Sequence, residues 1–261
     1  APRQAVAQYE AEAMNPVTRS LLFAFVNLLH PRMLWLMLWP MLIAVAIWGT
    51  VLLFTGAQVV ALLSGWMQQW LQSGTLFLRW DFSDAITVAA KVLVFLTFIP
   101  LVYLTALLIL SMFGMQAMVE HVAARRFPQL ARRHGGSLAG SAWNGLLALA
   151  GMAALAVASL PLWLVPPLWP VIPVAILGWV NQKVLRYDAL AEHATADEMR
   201  ALFAANRGLL YLLGFLLALA AFVPLLGLFA PVLFGLAFIH LLLEDLQARR
   251  AAPIKGEAVR L

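Results

Sequence analysis

The sequence predicts an all-α membrane protein, built from two long transmembrane helices and two Pro/Gly-centred helical hairpins, with amphipathic interfacial helices. Three observations predict it. Residues 33–78, 92–119, 135–182 and 208–243 contain no Asp, Glu, Lys or Arg. The 261-residue chain is 64% hydrophobic and 11% charged, whereas a soluble domain carries about 25% charged residues. Clusters of Pro and Gly fall inside the last two charge-free blocks. A charge at the centre of a bilayer costs about 2.5–3.5 kcal/mol. A soluble protein has no reason to avoid charge over such lengths.

Residues 1–16 read as a mobile lead-in without the basic region and apolar core of a signal peptide. Asn15-Pro16 is an N-cap and first-turn pair that opens a short helix, Val17 to Leu29. His30-Pro31 ends it, because a residue before proline avoids the α region. Met33 to Thr55 is long enough to span, with a kink expected at Pro40. Gly56 to Leu78 mixes four Gln with Trp66 and Trp70 on one helix face, which predicts a separate interfacial helix. Arg79, Asp81 and Asp84 mark a loop, and Ile86 to Val119 is the second spanning helix.

Blocks 135–182 and 208–243 each read as helix, turn, helix, with Pro161, Pro224 and Gly227 at the hairpin tips. Each hairpin either enters the bilayer part-way or forms two short spans. Non-helical backbone at membrane depth must be buried in protein or face water. The tips therefore call for neighbours, either from a homo-oligomer or from a compact bundle packed through small residues such as Gly151, Gly214 and Ala218. Residues 247–261 form a polar C-terminal tail, and the whole chain reads as one polytopic domain.

Glu120 to His134 holds Arg125, Arg126, Arg132 and Arg133 against one acid, Glu120. The positive-inside rule places it, and with it both termini, in the cytoplasm. The net charge of +5 and pI near 10.1 point to anionic lipid headgroups as partners rather than nucleic acid. With no cysteine, thiol chemistry is excluded. No motif for a nucleophile elbow, dinucleotide, phosphate loop or zinc protease occurs, so neither an enzyme nor a cofactor or metal is expected.

Arg32, at the start of the first span, is either an anion ligand or a topology-setting arginine. Gly135, Gly136 and Ser137 form either an anion nest beside Arg132 and Arg133 or an ordinary loop and helix cap. Glu192, His193 and Arg200 line a cytoplasmic vestibule or form a solvated ion-pair network. His240 and Glu244, four residues apart, share a helix face.

Tyr187-Asp188, Glu192-His193, Glu198-Met199-Arg200, the run Phe222 to Leu228, Ala230-Pro231-Val232 and Glu244-Asp245 follow one another in a recognisable order. Together with Leu29-His30-Pro31-Arg32, this order resembles the CysZ-like sulfate permease family, which includes the etoposide-induced-protein domain proteins. The resemblance implies a bacterial inner (plasma) membrane protein, associated with sulfate uptake and assembled as an oligomer. It also implies two long spans with two half-inserted hairpins. The family's sulfate-binding motif falls on Pro31, Arg32 and Met33. This chain departs from the motif by lacking its glycine and by having a single arginine. Passage of a small inorganic anion is the function so implied; the alternative is a membrane scaffold or assembly factor of the same fold.

Overall fold

The computed structural model describes residues 15–72 and 83–251. The lead-in up to residue 14, the predicted loop residues Arg79 and Asp81, and the tail from residue 252 lie outside them. The helices are α1 (Pro16–Leu28), α2 (Pro31–Gln72), α3 (Ser83–Arg126), α4 (Leu138–Ala158), α5 (Val171–Leu190), α6 (Ala196–Ala205), α7 (Arg207–Ala221) and α8 (Pro224–Ala251). Two 3-10 turns, Leu160–Leu164 and Pro166–Leu168, join α4 to α5. No strand occurs among the described residues. Among the described residues, five helical segments are long and apolar enough to cross a membrane. The chain forms two compact units. One is Trp35–Met112; the other combines Ala1–Leu34 with Phe113–Leu261.

The Trp35–Met112 unit pairs the body of α2 with the body of α3. Ala44, Val102 and Ala106 make its small core, with Met41, Trp48 and Phe98 packed around it. The Trp48 indole N–H donates to Thr105 Oγ1 at 2.8 Å, a polar tie suited to an apolar solvent. Thr50, Thr55, Thr97 and Ser111 return their hydroxyls to carbonyls three or four residues back. These four hydroxyls are therefore answered locally. Most large apolar side chains face outward, Leu53 and Phe54 among them. Such a surface fits lipid and not water.

One sequence expectation is corrected here. Gly56 does not end the first span: α2 is a single helix from Pro31 to Gln72, so Trp66 and Trp70 ride on its continuation. A lone glycine costs a helix only about 1 kcal/mol, and no proline follows it. The short amphipathic helices are instead α1, opened as expected by Asn15 capping Val17 N at 3.0 Å, and α6. The second span is also longer than expected, with Pro100 inside it.

The second unit is organised around α8. From Val232 to Leu243 every residue of α8 is buried. The apolar window of α8 is 67% buried, against 6% in α4 and 22% in α5. Helices α1, α5, α6 and α7 surround it. A helix hydrophobic on all sides is the one that belongs at the centre. Val17, Ser20, Phe23, Ala24 and Leu28 form the buried stripe of α1.

The two predicted hairpins are present. The α4–α5 tip contains Pro161, and its backbone is closed by Trp side chains: Trp169 Nε1 donates to the Trp163 carbonyl at 2.7 Å. Helices α7 and α8 turn at Phe222 and Val223, with Pro224 opening α8. Gly227 and Pro231 thus lie within α8 and not in the turn itself. Gly227 N donates to the Val223 carbonyl at 2.7 Å, and a side chain there would strike the Ala221 carbonyl. Helices α5 and α7 touch backbone to backbone: a Cβ on Gly214 would lie 2.5 Å from the Gly178 carbonyl oxygen. Gly145, also a small residue of a hairpin, has open space instead.

That contrast is testable. Gly214→Ala is expected to destabilise by about 1–3 kcal/mol through overpacking. Gly145→Ala is expected to be neutral or to stabilise by up to about 1 kcal/mol. Thermal unfolding of both variants in the same detergent measures the difference.

Candidate functional site

Three polar clusters lie in the second unit. The first sits where α2 begins. Pro31 has no N–H to offer, and the His30 ring replaces a helix cap: Arg32 N donates to His30 Nδ1 at 3.2 Å. Met33 N and Leu34 N donate to the His30 carbonyl at 2.8 and 3.0 Å. Met33 is 1% exposed and belongs to the core. The side chains available to a ligand are therefore those of His30, Arg32 and two residues from the end of α3, His121 and Arg125.

The His30 and His121 rings lie 4.8 Å apart, tilted. His121 is 3% exposed, and its Nε2 has no hydrogen-bond partner among the described residues. Burial lowers the His121 pKa below the usual histidine value, and His30, Arg125 and Arg32 lower it further. Arg32 and Arg125 are exposed, and neither meets a carboxylate among the described residues. Four cationic or protonatable groups converge here with no counter-charge. Arg32 is marked in the sequence by its place before an apolar run, whereas nothing local marks His30 and His121 as a pair. The four-residue step from His121 to Arg125 was the signal available in the sequence.

The second cluster joins the bases of both hairpins. Arg250, at the end of α8, donates to both carboxylate oxygens of Glu198, Nε to Oε1 at 2.9 Å and Nη2 to Oε2 at 2.8 Å. Its remaining donors reach the Ala131 carbonyl at 2.9 Å and the His193 carbonyl at 2.7 Å. Glu198 also pairs with Arg133 at 3.0 Å and closes the capping box of α6 with Thr195. Arg133 N and His134 N donate to the Glu192 carbonyl, Gly135 N to Ala194 and Gly136 N to Ala191. His134 takes φ 46° to make this turn.

The N–H groups of Gly135 and Gly136 are thus spent on the chain's own carbonyls. Ser137 caps α4 by accepting from Gly140 N at 3.0 Å, and its own N–H donates to the Tyr187 hydroxyl at 3.3 Å. Glu192 meets Arg132 at 3.9 Å. Arg200 stands apart, paired with Asp197 in solvent at 2.6 Å. His193 is 1% exposed, and its Nδ1 has no partner among the described residues.

The third cluster runs along α1 and α8. His240 and Glu244 share a face, but Nδ1 lies 3.9 Å from the carboxylate. The Ser20 hydroxyl is closer, at 3.1 Å, and the Phe23 ring stacks on the imidazole with centroids 4.2 Å apart. Glu244 pairs with Arg19 at 3.3 Å. The cluster ties α1 to the central helix. Among the described residues no group of His, Cys, Asp or Glu could hold a metal ion.

The second cluster sets a pH response. Burial, then Arg132, Arg250 and His134, lower His193 to about 4. The Arg250 hydrogen bond above all lowers Glu198 to about 2. As pH falls from 6.5 towards 4, the unfolded chain binds the His193 proton before the folded chain does. Stability therefore falls through that window, by about 3 kcal/mol at most. Glu198 stabilises fully above pH 4.5 and loses its contribution as pH falls towards 2. The melting temperature is expected to drop between pH 6.5 and 4, and His193→Gln to flatten that drop. Arg250→Gln is expected to cost about 2–3 kcal/mol at neutral pH, read from the same thermal scans.

Comparison with known proteins adds one match. The family described as sulfate transporter CysZ/etoposide-induced protein 2.4 matches residues 20–231, from the start of α1 to the first turns of α8. No curated protein and no solved structure matches the chain. The match takes in the cationic cluster at His30, Arg32, His121 and Arg125 and both hairpins. This all-helical, multi-pass membrane protein belongs to the CysZ/etoposide-induced protein 2.4 family.

Proposed function

We propose that this protein lets a small oxyanion, sulfate first among candidates, cross a bacterial inner membrane, and that the anion is held by His30, Arg32, His121 and Arg125. The observation that carries this reading is the convergence of these groups with no carboxylate among the described residues and with a buried, unpartnered His121 Nε2. Arginine offers forked donors to an oxyanion. A neutral imidazole offers one N–H, and a protonated one adds charge. The glycine that would let backbone N–H groups approach the anion is absent, so side chains supply the donors. The family match supports the same substrate class.

The charge pattern supports a cytoplasmic base for both hairpins. Helix α4 has 21 residues and α5 has 20, each about 30 Å long and equal to the hydrocarbon core. Their tip carries exposed Trp163 and Trp169, residues suited to a membrane–water interface. Helix α7 has 15 residues, about 22 Å, and its turn carries no tryptophan. In this reading the first hairpin crosses the bilayer and the second stops inside it. The unpaired backbone at its tip is then shielded by the bundle or by a second copy of the chain.

Two experiments test these statements. Purified protein in liposomes is expected to release labelled sulfate faster than protein-free liposomes, and Arg32→Gln to slow release at least tenfold. Acidification is expected to strengthen sulfate binding, because His121 gains its proton only below the usual histidine range. Absence of flux and of binding at millimolar sulfate would leave the scaffold role. For topology, membrane-impermeant thiol reagent added outside is expected to label Leu164→Cys and to spare Val223→Cys. Labelling of both would make the second hairpin a full span.

A further inference from the structure

Away from the α2 cluster, a second group of cations has no counter-charge. Lys183 and Arg186 lie one turn apart on α5, and the charge of Arg186 reaches Lys183. The Gly178–Gly214 contact sets α5 and α7 antiparallel, Gln182 falling against Gly214, so that the start of α7 faces the end of α5. That register brings Arg207 to Arg186, where the two guanidinium groups repel. Arg186 stacks one face on the Phe203 ring, its Cζ 4.7 Å from the centroid. The Tyr211 phenol also lies within electrostatic reach of Arg186.

No ion pair among the described residues engages the side chains of Lys183, Arg186 or Arg207, and the Lys183 backbone carbonyl accepts from Asn144 Nδ2 at 2.8 Å. The one carboxylate on this helix, Asp188, forms no ion pair with them, and its Oδ1 is buried without a hydrogen-bond partner among the described residues. Like charges at close quarters, partly buried, are costly without an anion between them.

The second observation is a groove. Helices α4, α5 and α7 enclose a cleft of about 490 Å³ lined by Leu155, Ser159, Ile172, Ala175, Trp179 and Tyr211 among others. It is apolar along nearly its whole length. The six-membered edge of the Trp179 ring presses on Gly151, where a Cβ would strike Cη2. Trp179 precedes Lys183 by one turn on α5, and Arg207 precedes Tyr211 by one turn on α7. Because the helices are antiparallel, both cations lie beyond the aromatic residues at the same end of the cleft. An apolar trough that opens onto unpaired cations is amphipathic in the manner of a lipid.

We propose that this groove binds an anionic phospholipid, with an acyl chain in the cleft and the phosphate between Lys183, Arg186 and Arg207. The charge selects the anionic headgroup, and the trough selects a lipid over a free oxyanion. Basic pockets between membrane helices are known to favour such headgroups. The site shares no residue with the Arg32 cluster.

The test uses the full-length protein, delipidated in neutral detergent and titrated with phosphatidylglycerol or phosphatidylcholine. Native mass spectrometry and melting temperature are the readouts. Phosphatidylglycerol is expected to remain bound and raise the melting temperature, and phosphatidylcholine to do neither. Lys183→Gln/Arg186→Gln should weaken phosphatidylglycerol binding roughly fivefold for each charge removed. The melting temperature in phosphatidylcholine should not fall, because the double variant relieves repulsion that no anion there offsets.

Equal binding of the two lipids would overturn the proposal, as would unaltered affinity in the double variant. Inorganic sulfate or phosphate that produces the same shift and displaces the lipid at millimolar concentration would also overturn it, in favour of a free-oxyanion site. Should the double variant fail to fold, the wild-type comparison of the two lipids decides by itself.

Discussion

Arg250 and Glu198 form the tie on which the second unit depends. Arg250 ends the one helix that is buried on every side, and Glu198 opens the helix that links the two hairpins. Their forked pair, together with the carbonyls of Ala131 and His193, holds three separate chain segments at one point. A guanidinium partly withdrawn from water must have its donors satisfied, or it costs more than it contributes. Here four donor contacts satisfy it. The turn at His134 and the loop after α5 are shaped to present those carbonyls. The apolar helices above this base can then present charge-free surface to lipid.

Pairing separates structure from function in this chain. Glu198, Arg133, Glu192 and Glu244 all find opposite charges, and the Gly135 and Gly136 N–H groups find carbonyls. Those residues build the bundle. Two clusters of basic side chains have no ion-pair partner among the described residues: His30, Arg32, His121 and Arg125, and Lys183, Arg186 and Arg207. Uncompensated charge beside an apolar bundle is unfavourable unless a ligand completes it. The first group lies beside a buried histidine nitrogen, which suits a compact oxyanion. The second lies at the mouth of an apolar groove, which suits an amphiphile.

Much of the fold was legible in the sequence, because a bilayer imposes a simple code. The Asn15-Pro16 start, the break at His30-Pro31, the presence of two long apolar helices and both helix–turn–helix pairs followed from charge-free length and from proline chemistry. The misplaced boundary at Gly56 has a local cause. Glutamines and tryptophans resemble an interfacial helix, yet nothing in the backbone chemistry of Gly56 forces an end. Pro231 likewise looked like part of a turn, but a single proline is accommodated inside α8.

The site was only partly legible. Arg32 stood out by its place before an apolar run. His121 did not, since its importance comes from being buried beside His30, a residue about ninety positions away in sequence. The sequence by itself determined the class of the protein, the family it resembles and the order of its helices. Each of these depends on local composition and on short-range backbone preference. The tertiary structure alone decided that α8 is the central helix, that Arg250 and not Arg200 answers Glu198, and which cations stay unpaired. Those outcomes depend on which side chains the folded helices bring within a few ångströms, and charge satisfaction is a property of such neighbourhoods, which the order of residues along the chain does not record.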